Sequence, residues 1–265
     1  MKIIINDNIN IENKLKEAVN MNRFLLYYQP QYDSKSQKLR GVEALIRWQD
    51  DSGKMISPGV FIPIAEKNGM IVPIGTWVLE EGIRKYAAWR ENYNCDMVLS
   101  LNISAIQYKR PDFVSNLLEI LEKYRVNPKD IELEITESVL IDDFEQVVSK
   151  LRILKEYGIK ISLDDFGTGY SSLSYLKGLP IDTLKIDKSF IDTVIQDEST
   201  QVITESIVSM VKKLGFETVA EGVETEEQYE YLKKIECDNI QGFLLGKPMP
   251  AEEIAGLLKQ RSAGV

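Results

Sequence analysis

Polar and apolar residues alternate along eight short runs of the chain. The runs are FLLYYQPQY from Phe24, VEALIRW from Val42, MVLSLNIS from Met97, IELEIT from Ile131, IKISLDD from Ile159, TLKID from Thr183, ETVAEG from Glu217 and NIQGFLL from Asn239. Alternation with period two predicts strands. From the third run onward, segments of helical period lie between neighbours. Phe144, Val147, Val148, Leu151 and Leu154 share one helical face, and Ile203, Ile207, Met210, Val211 and Leu214 share another. PDFVSNLLEILEKY opens with Pro111 and carries Phe113, Leu117, Leu118, Leu121 and Tyr124 at the same spacing. Eight strands alternating with helices predict an α/β fold, a modified TIM (β/α)8 barrel. The first connection, DSKSQKLRG, is too short for a parallel crossover, so the first strand should run antiparallel to the second. The second connection has room for two helices, SPGVFIPIAEKNG and PIGTWVLEEGIRKYAAWREN. The expected organisation is an N-terminal helical lead-in, residues 1–22, carrying the pattern IENKLKEAVN, and a barrel domain, residues 23–260.

The two faces of these strands differ. Leu99, Leu101 and Ile103 oppose Ser100, Asn102 and Ser104, and Leu133 and Ile135 oppose Glu132, Glu134 and Thr136. Ile161 and Leu163 oppose Ser162 and Asp164, and Leu184 and Ile186 oppose Lys185 and Asp187. The outward face of a barrel strand packs under helices and must be apolar. The polar set then points inward, near the C-terminal rim where such barrels place their sites. The strand ends collect Gln29, Glu43, Asn102, Glu134, Asp164 with Asp165, Lys185, Glu221 and Gln241. Any one of these alone is more often a solvated rim charge or a loop cap. Glu132 and Asp187 could also be structural partners of Lys or Arg, and Lys185 a counter-ion. Recurrence at every strand end is what makes a site of them.

Composition narrows the chemistry. The 265 residues include no histidine, which excludes Ser-His-Asp and Cys-His nucleophiles, His-ligated zinc and haem, and imidazole proton shuttles. Two cysteines, Cys95 and Cys237, cannot build a four-cysteine metal site and read as core thiols of a cytoplasmic protein. The opening MKIIINDNIN is no export signal, and MIVPIGTWVL is too short and too broken to span a membrane. A net charge of −9, from 32 basic and 41 acidic side chains, disfavours a DNA-binding surface. An anionic ligand remains compatible where bound cations reverse the local field.

Converging carboxylates require compensation. At an effective dielectric of about 20 and about 5 Å, each like-charged pair costs roughly 3 kcal/mol. Several pairs would rival the roughly 5–15 kcal/mol stability of a domain. An oxygen-rich, histidine-free set suits Mg2+ or Mn2+, with Asn102 as a neutral oxygen ligand. Asp164 and Asp165 face opposite ways on an ideal strand. Both serve one site only if the strand ends by Asp165, which the following FGTGYSS turn makes feasible. An aspartate at the strand end could then bridge two ions for in-line attack at phosphorus. Asp165-Phe166-Gly167 spells a kinase metal motif but lacks the HRD-type loop, and GTGYSS lacks the last glycine of a dinucleotide fingerprint. The glycines fit a mobile loop over the site mouth.

With these residues in place, the chain resembles the EAL-domain cyclic di-GMP phosphodiesterases of bacteria. Glu43-Ala44-Leu45 carries the signature, followed in order by LNIS, ELEITES, DDFGTGYSSL, LKIDKSF, AEGVET and QGFLLGKP. The resemblance runs from about Phe24 to about Ala255. It implies hydrolysis of cyclic di-GMP to linear pGpG with two ions, Mg2+ or Mn2+. Glu43, Asn102, Glu134 and Asp164 resemble ligands of the first ion; Asp164, Asp165 and, through water, Glu221 resemble the set of the second. Lys185 resembles the lysine that contacts the attacking water, Glu221 a general base, and Glu137 the anchor of the loop Phe166, Gly167, Thr168, Gly169, Tyr170 and Ser171. Gln29, Arg47, Asp187, Glu224 and Gln241 resemble substrate-binding or supporting residues, with Arg47 on a phosphate and Asp187 toward a guanine. Phe243 replaces a common tyrosine. A homodimer is implied, as is a sensory or cyclase domain upstream in a parent protein. The sequence itself carries no such domain, which leaves a stand-alone enzyme or an excised domain open. The alternative within the same fold is a catalytically silent receptor for cyclic di-GMP. With other chemistry on the same barrel, Lys185 would suit a Schiff-base aldolase and Lys plus carboxylates an enolase-like site, but the ordered motifs favour neither.

Overall fold

The computed structural model describes residues 2–21, 23–50, 52–140, 144–167 and 176–262; the side chains of 2–10 and of residue 20 lie outside the described set. Eight strands close into a barrel: β1 (Phe24–Asp33), β2 (Leu39–Gln49), β4 (Val98–Asn102), β5 (Ile131–Thr136), β6 (Lys160–Phe166), β7 (Thr183–Ile186), β8 (Glu217–Ala220) and β9 (Asn239–Gln241). β1 is antiparallel to both neighbours, β2 and β9, and every pairing from β2 through β4 to β9 is parallel. The short first connection dictates this, because five residues between Asp33 and Leu39 can reverse the chain but cannot cross over. Two small antiparallel additions flank the barrel, β3 (Met55–Ile56) on β2 and β10 (Met249–Pro250) on β1.

The described α-helices are α1 (Lys2–Met21), α2 (Pro58–Lys67), α3 (Ile71–Tyr93), α4 (Ala105–Lys109), α5 (Phe113–Tyr124), α6 (Phe144–Glu156), α7 (Lys188–Thr193), α8 (Glu198–Leu214), α9 (Glu226–Lys234) and α10 (Ala251–Ser262). Two helices fill the second connection, as its length predicts. α1 is longer than the pattern that suggested it and buries Leu15 and Ala18 in the common core. Leu99, Leu101, Leu133, Ile135, Ile161, Leu163, Leu184 and Ile186 are buried in that core. Strand alternation therefore separates an apolar shell from a polar interior, as the sequence indicates.

Some boundaries and faces differ from the sequence reading. Pro111 precedes α5, whose N-cap position is Asp112. α8 buries Thr204, Ile207, Val208 and Val211, whereas Ile203 is 46% exposed and Leu214 37%. The buried stripe is rotated onto Thr204, whose hydroxyl is satisfied by donating to Thr200 O. The last strand run stops at Gln241. A Cβ at Gly242 would lie 2.0 Å from the Val223 carbonyl, so that close backbone approach turns the chain out of the barrel before Phe243.

Candidate active site at the C-terminal mouth of the barrel

Inward positions of neighbouring strands stack side by side. Register pairs Asn102 with Glu134 and Thr136 with Asp164, and Gln31 with Gln241 across the antiparallel seam. Lys185 stands at the centre. Its ammonium donates to Glu134 Oε2 at 2.8 Å and lies 2.6 Å from Glu221 Oε1 and 3.4 Å from both Glu43 Oε2 and Asp164 Oδ1. Asn102 Nδ2 donates to Glu43 Oε1 at 2.7 Å and Gln241 Nε2 to Glu43 Oε2 at 2.6 Å. Gln241 also donates to Gln29 Oε1, and Gln29 to the Gly246 carbonyl. These predicted residues thus form one network.

Asp164 and Asp165 reach the same site by a route different from the expected one. The strand does not end at Asp165; it continues to Phe166. Asp165 instead adopts φ +56°, and the register with β7 shifts between Leu163 and Phe166. A bulge of this kind re-aims a side chain, and aspartate is among the few residues that enter the left-handed region readily. Carboxylate oxygens of Asp164, Asp165 and Glu221 consequently lie within 4.8 Å of one another.

The electrostatics follow from burial and crowding. Burial pushes Glu134 well above the usual carboxylate range, with Glu43 and Asp164 adding repulsion that Lys185 only partly offsets. Glu221 is pushed up to about 8, first by burial and then by Asp164 and Glu43 against Lys185. Asp165 is raised by burial and by Asp164 and Asp187. Burial opposes the charge on Lys185, but its four carboxylates hold it well above the ordinary lysine value. Burial likewise acts against ionised Glu43, and Lys185, Gln241 and Asn102 outweigh it.

The donor set fits divalent cations. It is all oxygen, it gathers more carboxylates than one ammonium can neutralise, and Glu134 Oε1 is fully buried with no hydrogen-bond partner. A buried, unpaired carboxylate oxygen is costly unless a cation meets it.

The remaining predicted residues surround this centre. Glu137 Oε1 accepts from the Gly167 amide at 3.2 Å. A Cβ at Gly167 would sit 2.6 Å from the Phe190 ring, and its φ is +97°. Thr168, Gly169, Tyr170 and Ser171 lie outside the described residues. Arg47 stacks over Tyr27 at 5.6 Å and lines a cavity of about 330 Å3 with Glu43, Asn102, Pro58, Ile62 and Ile74. Asp187 caps α7 by accepting from the Ser189 amide. Glu224 is 47% exposed and pairs with Lys188 at 2.9 Å.

Glu132 belongs to a lower interior layer. Arg40 grips both its oxygens at 2.7 and 2.9 Å, and Ser100 and Thr183 donate to it. Arg40 did not emerge from the sequence because it reads as part of the first loop. Its one available signal was Glu132 itself, an inward charge below the site that needs a buried partner.

The EAL domain family model matches residues 12–248. The signaling protein YkoW of Bacillus subtilis is 42% identical over 245 residues, which cover 92% of this chain and 30% of that protein. The bifunctional diguanylate cyclase/cyclic di-GMP phosphodiesterase MucR of Pseudomonas aeruginosa is 42% identical over 240 residues, covering 91% and 35%. The chain therefore spans about a third of the length of these curated relatives. Among solved structures, the PaMucR phosphodiesterase in a c-di-GMP complex has a TM-score of 0.89 at 41% identity, covering 92% of this chain and 99% of that one. The EAL enzyme Bd1971, in its cAMP and cyclic-di-GMP bound form, has a TM-score of 0.92 at 33% identity, covering 95% and 69%. With the family model spanning nearly the whole barrel, the chain belongs to the EAL-domain family.

Proposed function

We propose that this barrel hydrolyses one phosphodiester of cyclic di-GMP to give linear pGpG, using two divalent cations, Mg2+ or Mn2+. The observation that carries the reading is the cluster of Glu43, Glu134, Asp164, Asp165 and Glu221 around one mouth, with a buried carboxylate oxygen left for a cation. Relatives named as cyclic di-GMP phosphodiesterases support the substrate.

Glu43, Asn102, Glu134 and Asp164 would hold one cation, and Asp164, Asp165 and Glu221 the second. Bound cations would supply Lewis acidity at the phosphate and make water a better nucleophile. The chain's own groups do the rest. Lys185, held cationic, orients the attacking water and stabilises charge that develops at phosphorus. Glu221, whose Oε1 lies 2.6 Å from the Lys185 ammonium, accepts the proton that water gives up as its oxygen bonds to phosphorus. The bond to the 3′-oxygen breaks, and that oxygen takes a proton from solvent. Gln29 and Gln241 fix the far wall of the network. Arg47 faces the cavity as a phosphate partner, and Pro58, Ile62 and Ile74 offer apolar walls to a base. Asp187 and Glu224 are assigned to the outer rim of the substrate, Asp187 toward a guanine. Glu137 anchors the start of the loop through Gly167.

The named activities of relatives, an oxygen sensor and a bifunctional cyclase among them, support a sensory or cyclase domain upstream in a parent protein. The exposed Val202 and Ile203 of α8 support a homodimer, which sedimentation would test. Among the described residues no helix is long and apolar enough to cross a membrane, and Cys95 and Cys237 are free thiols; both fit a cytoplasmic site of action.

Incubation with cyclic di-GMP and Mg2+, with and without EDTA, tests the proposal. EDTA-sensitive appearance of linear dinucleotide is expected. Tight binding with no linear product would establish a silent receptor instead.

A further inference from the structure

A chain of side chains joins the site to the lower interior layer through Gln31 and Arg40, two residues to which the proposed chemistry assigns no role. Arg40 Nη1 donates to Gln31 Oε1 at 2.8 Å. Gln31 Nε2 donates to Gln241 Oε1 at 2.9 Å, and Gln241 Nε2 donates to Glu43 Oε2 at 2.6 Å. Gln31, Gln241 and Glu43 are all buried. Arg40 reaches the interior because the β1–β2 register moves from Gln31 opposite Gly41 to Tyr32 opposite Leu39. Arg40 is the extra residue of that bulge, and bulges turn side chains to new faces.

The polarity of the chain is fixed at both ends. A guanidinium only donates and an ionised carboxylate only accepts. Two amides between them satisfy every bond in one direction alone, with each carbonyl toward Arg40 and each amino group toward Glu43. Reversing Gln241 would break its bonds to Gln31, Glu43 and Gln29 together and set its carbonyl against a carboxylate. Arg40 is itself immobilised by both oxygens of Glu132.

We propose that Arg40 and Gln31 are positioning residues, a relay that locks the Gln241 amide and so aims the Glu43 carboxylate at a divalent cation. The proposal rests on Glu43 being a cation ligand. The groups that orient metal-binding carboxylates are worth about 10–100-fold in metal affinity.

The test is calorimetric titration of the full chain with Mn2+, beside thermal unfolding, for wild type, Glu43→Gln, Gln31→Met and Ser100→Ala. Ser100 donates to Glu132 in the same buried layer without a bond to Arg40 or to either amide. Gln31→Met should bind Mn2+ about tenfold more weakly, with kcat reduced and KM for substrate unchanged. Ser100→Ala should lose thermal stability and keep its Mn2+ affinity. If Gln31→Met does not fold, Gln31→Asn keeps the amide but not the reach, and the same loss is expected. Wild-type affinity in the Gln31 variant overturns the relay, as does a loss matched by Ser100→Ala. If Glu43→Gln binds as tightly as wild type, Glu43 is no ligand, and the metal reading fails along with the relay.

Discussion

Asp165 presents its carboxylate on the same side as Asp164, although the two are adjacent within one strand, because Asp165 takes φ +56° at a register shift against β7. Asp165 N also donates to Asp164 Oδ1 at 2.9 Å, which holds the first carboxylate in place. Two carboxylates from consecutive residues are thus brought to one site by one bulge.

Asp165→Asn and Asp165→Val separate charge from backbone. Asparagine tolerates the left-handed region, whereas a β-branched residue there is a strong outlier. The Asn variant should keep its unfolding midpoint and lose the bulk of its activity. The Val variant should lose activity and about 1–2 kcal/mol of stability. Denaturant unfolding and turnover measured together check this; equal stability of the two variants would show that the bulge stores no conformational demand.

Lys185 is the internal counter-charge of four carboxylates. Removing one partner of a buried charged cluster costs about 3–5 kcal/mol. Lys185→Met should therefore unfold at markedly lower urea in EDTA. Millimolar Mg2+ should recover more stability in this variant than in wild type, since a ligand that binds only the folded state stabilises it. An identical Mg2+ response in both proteins would contradict the role of Lys185 as counter-ion.

Gly167 lies against Phe190 with no room for a Cβ. Gly167→Ala should cost about 1–2 kcal/mol from its positive φ alone, plus the clash with the ring. Phe190→Ala in the same chain should relieve the clash but not the backbone term. A double-mutant cycle on stability should give a coupling of at least about 0.5 kcal/mol; strict additivity would refute the contact.

Glu132 sets an acid limit. Burial opposes its charge, but Arg40, Thr183 and Ser100 hold it down at about 2, against an ordinary value of 4.5. A carboxyl held below its unfolded value stabilises the fold fully above pH 4.5 and loses that contribution as pH falls toward about 2. The displacement corresponds to on the order of 3 kcal/mol. The double variant Arg40→Met/Glu132→Met should match wild type within about 2 kcal/mol at pH 6 and lose less stability between pH 5 and pH 3. Urea unfolding at these pH values decides it, and parallel losses in the two proteins would remove Glu132 from the account.

Local pattern alone placed the eight strands, the antiparallel first strand and the polar residues at the strand ends. Period two determines which face a side chain takes, whatever its distant partners, so Glu43, Asn102, Glu134, Asp164 and Lys185 were legible as one inward set. Connection length determined strand direction for the same reason. Three features needed the closed barrel. The bulges at Arg40 and Asp165 reverse local alternation, and only the register with a neighbouring strand reveals them. Glu132 reads either as one more inward carboxylate or as the partner of a Lys or Arg, and the closed barrel identifies that partner as Arg40, 92 residues away. The resemblance implied roles for Asp187 and Glu224 without their contacts, a helix cap and a pair with Lys188 that arise from how β7, α7 and the segment after β8 meet. Periodicity is a property of one strand, but the partner of a buried charge and the extra residue of a bulge are properties of two, and only tertiary structure brings the second into view.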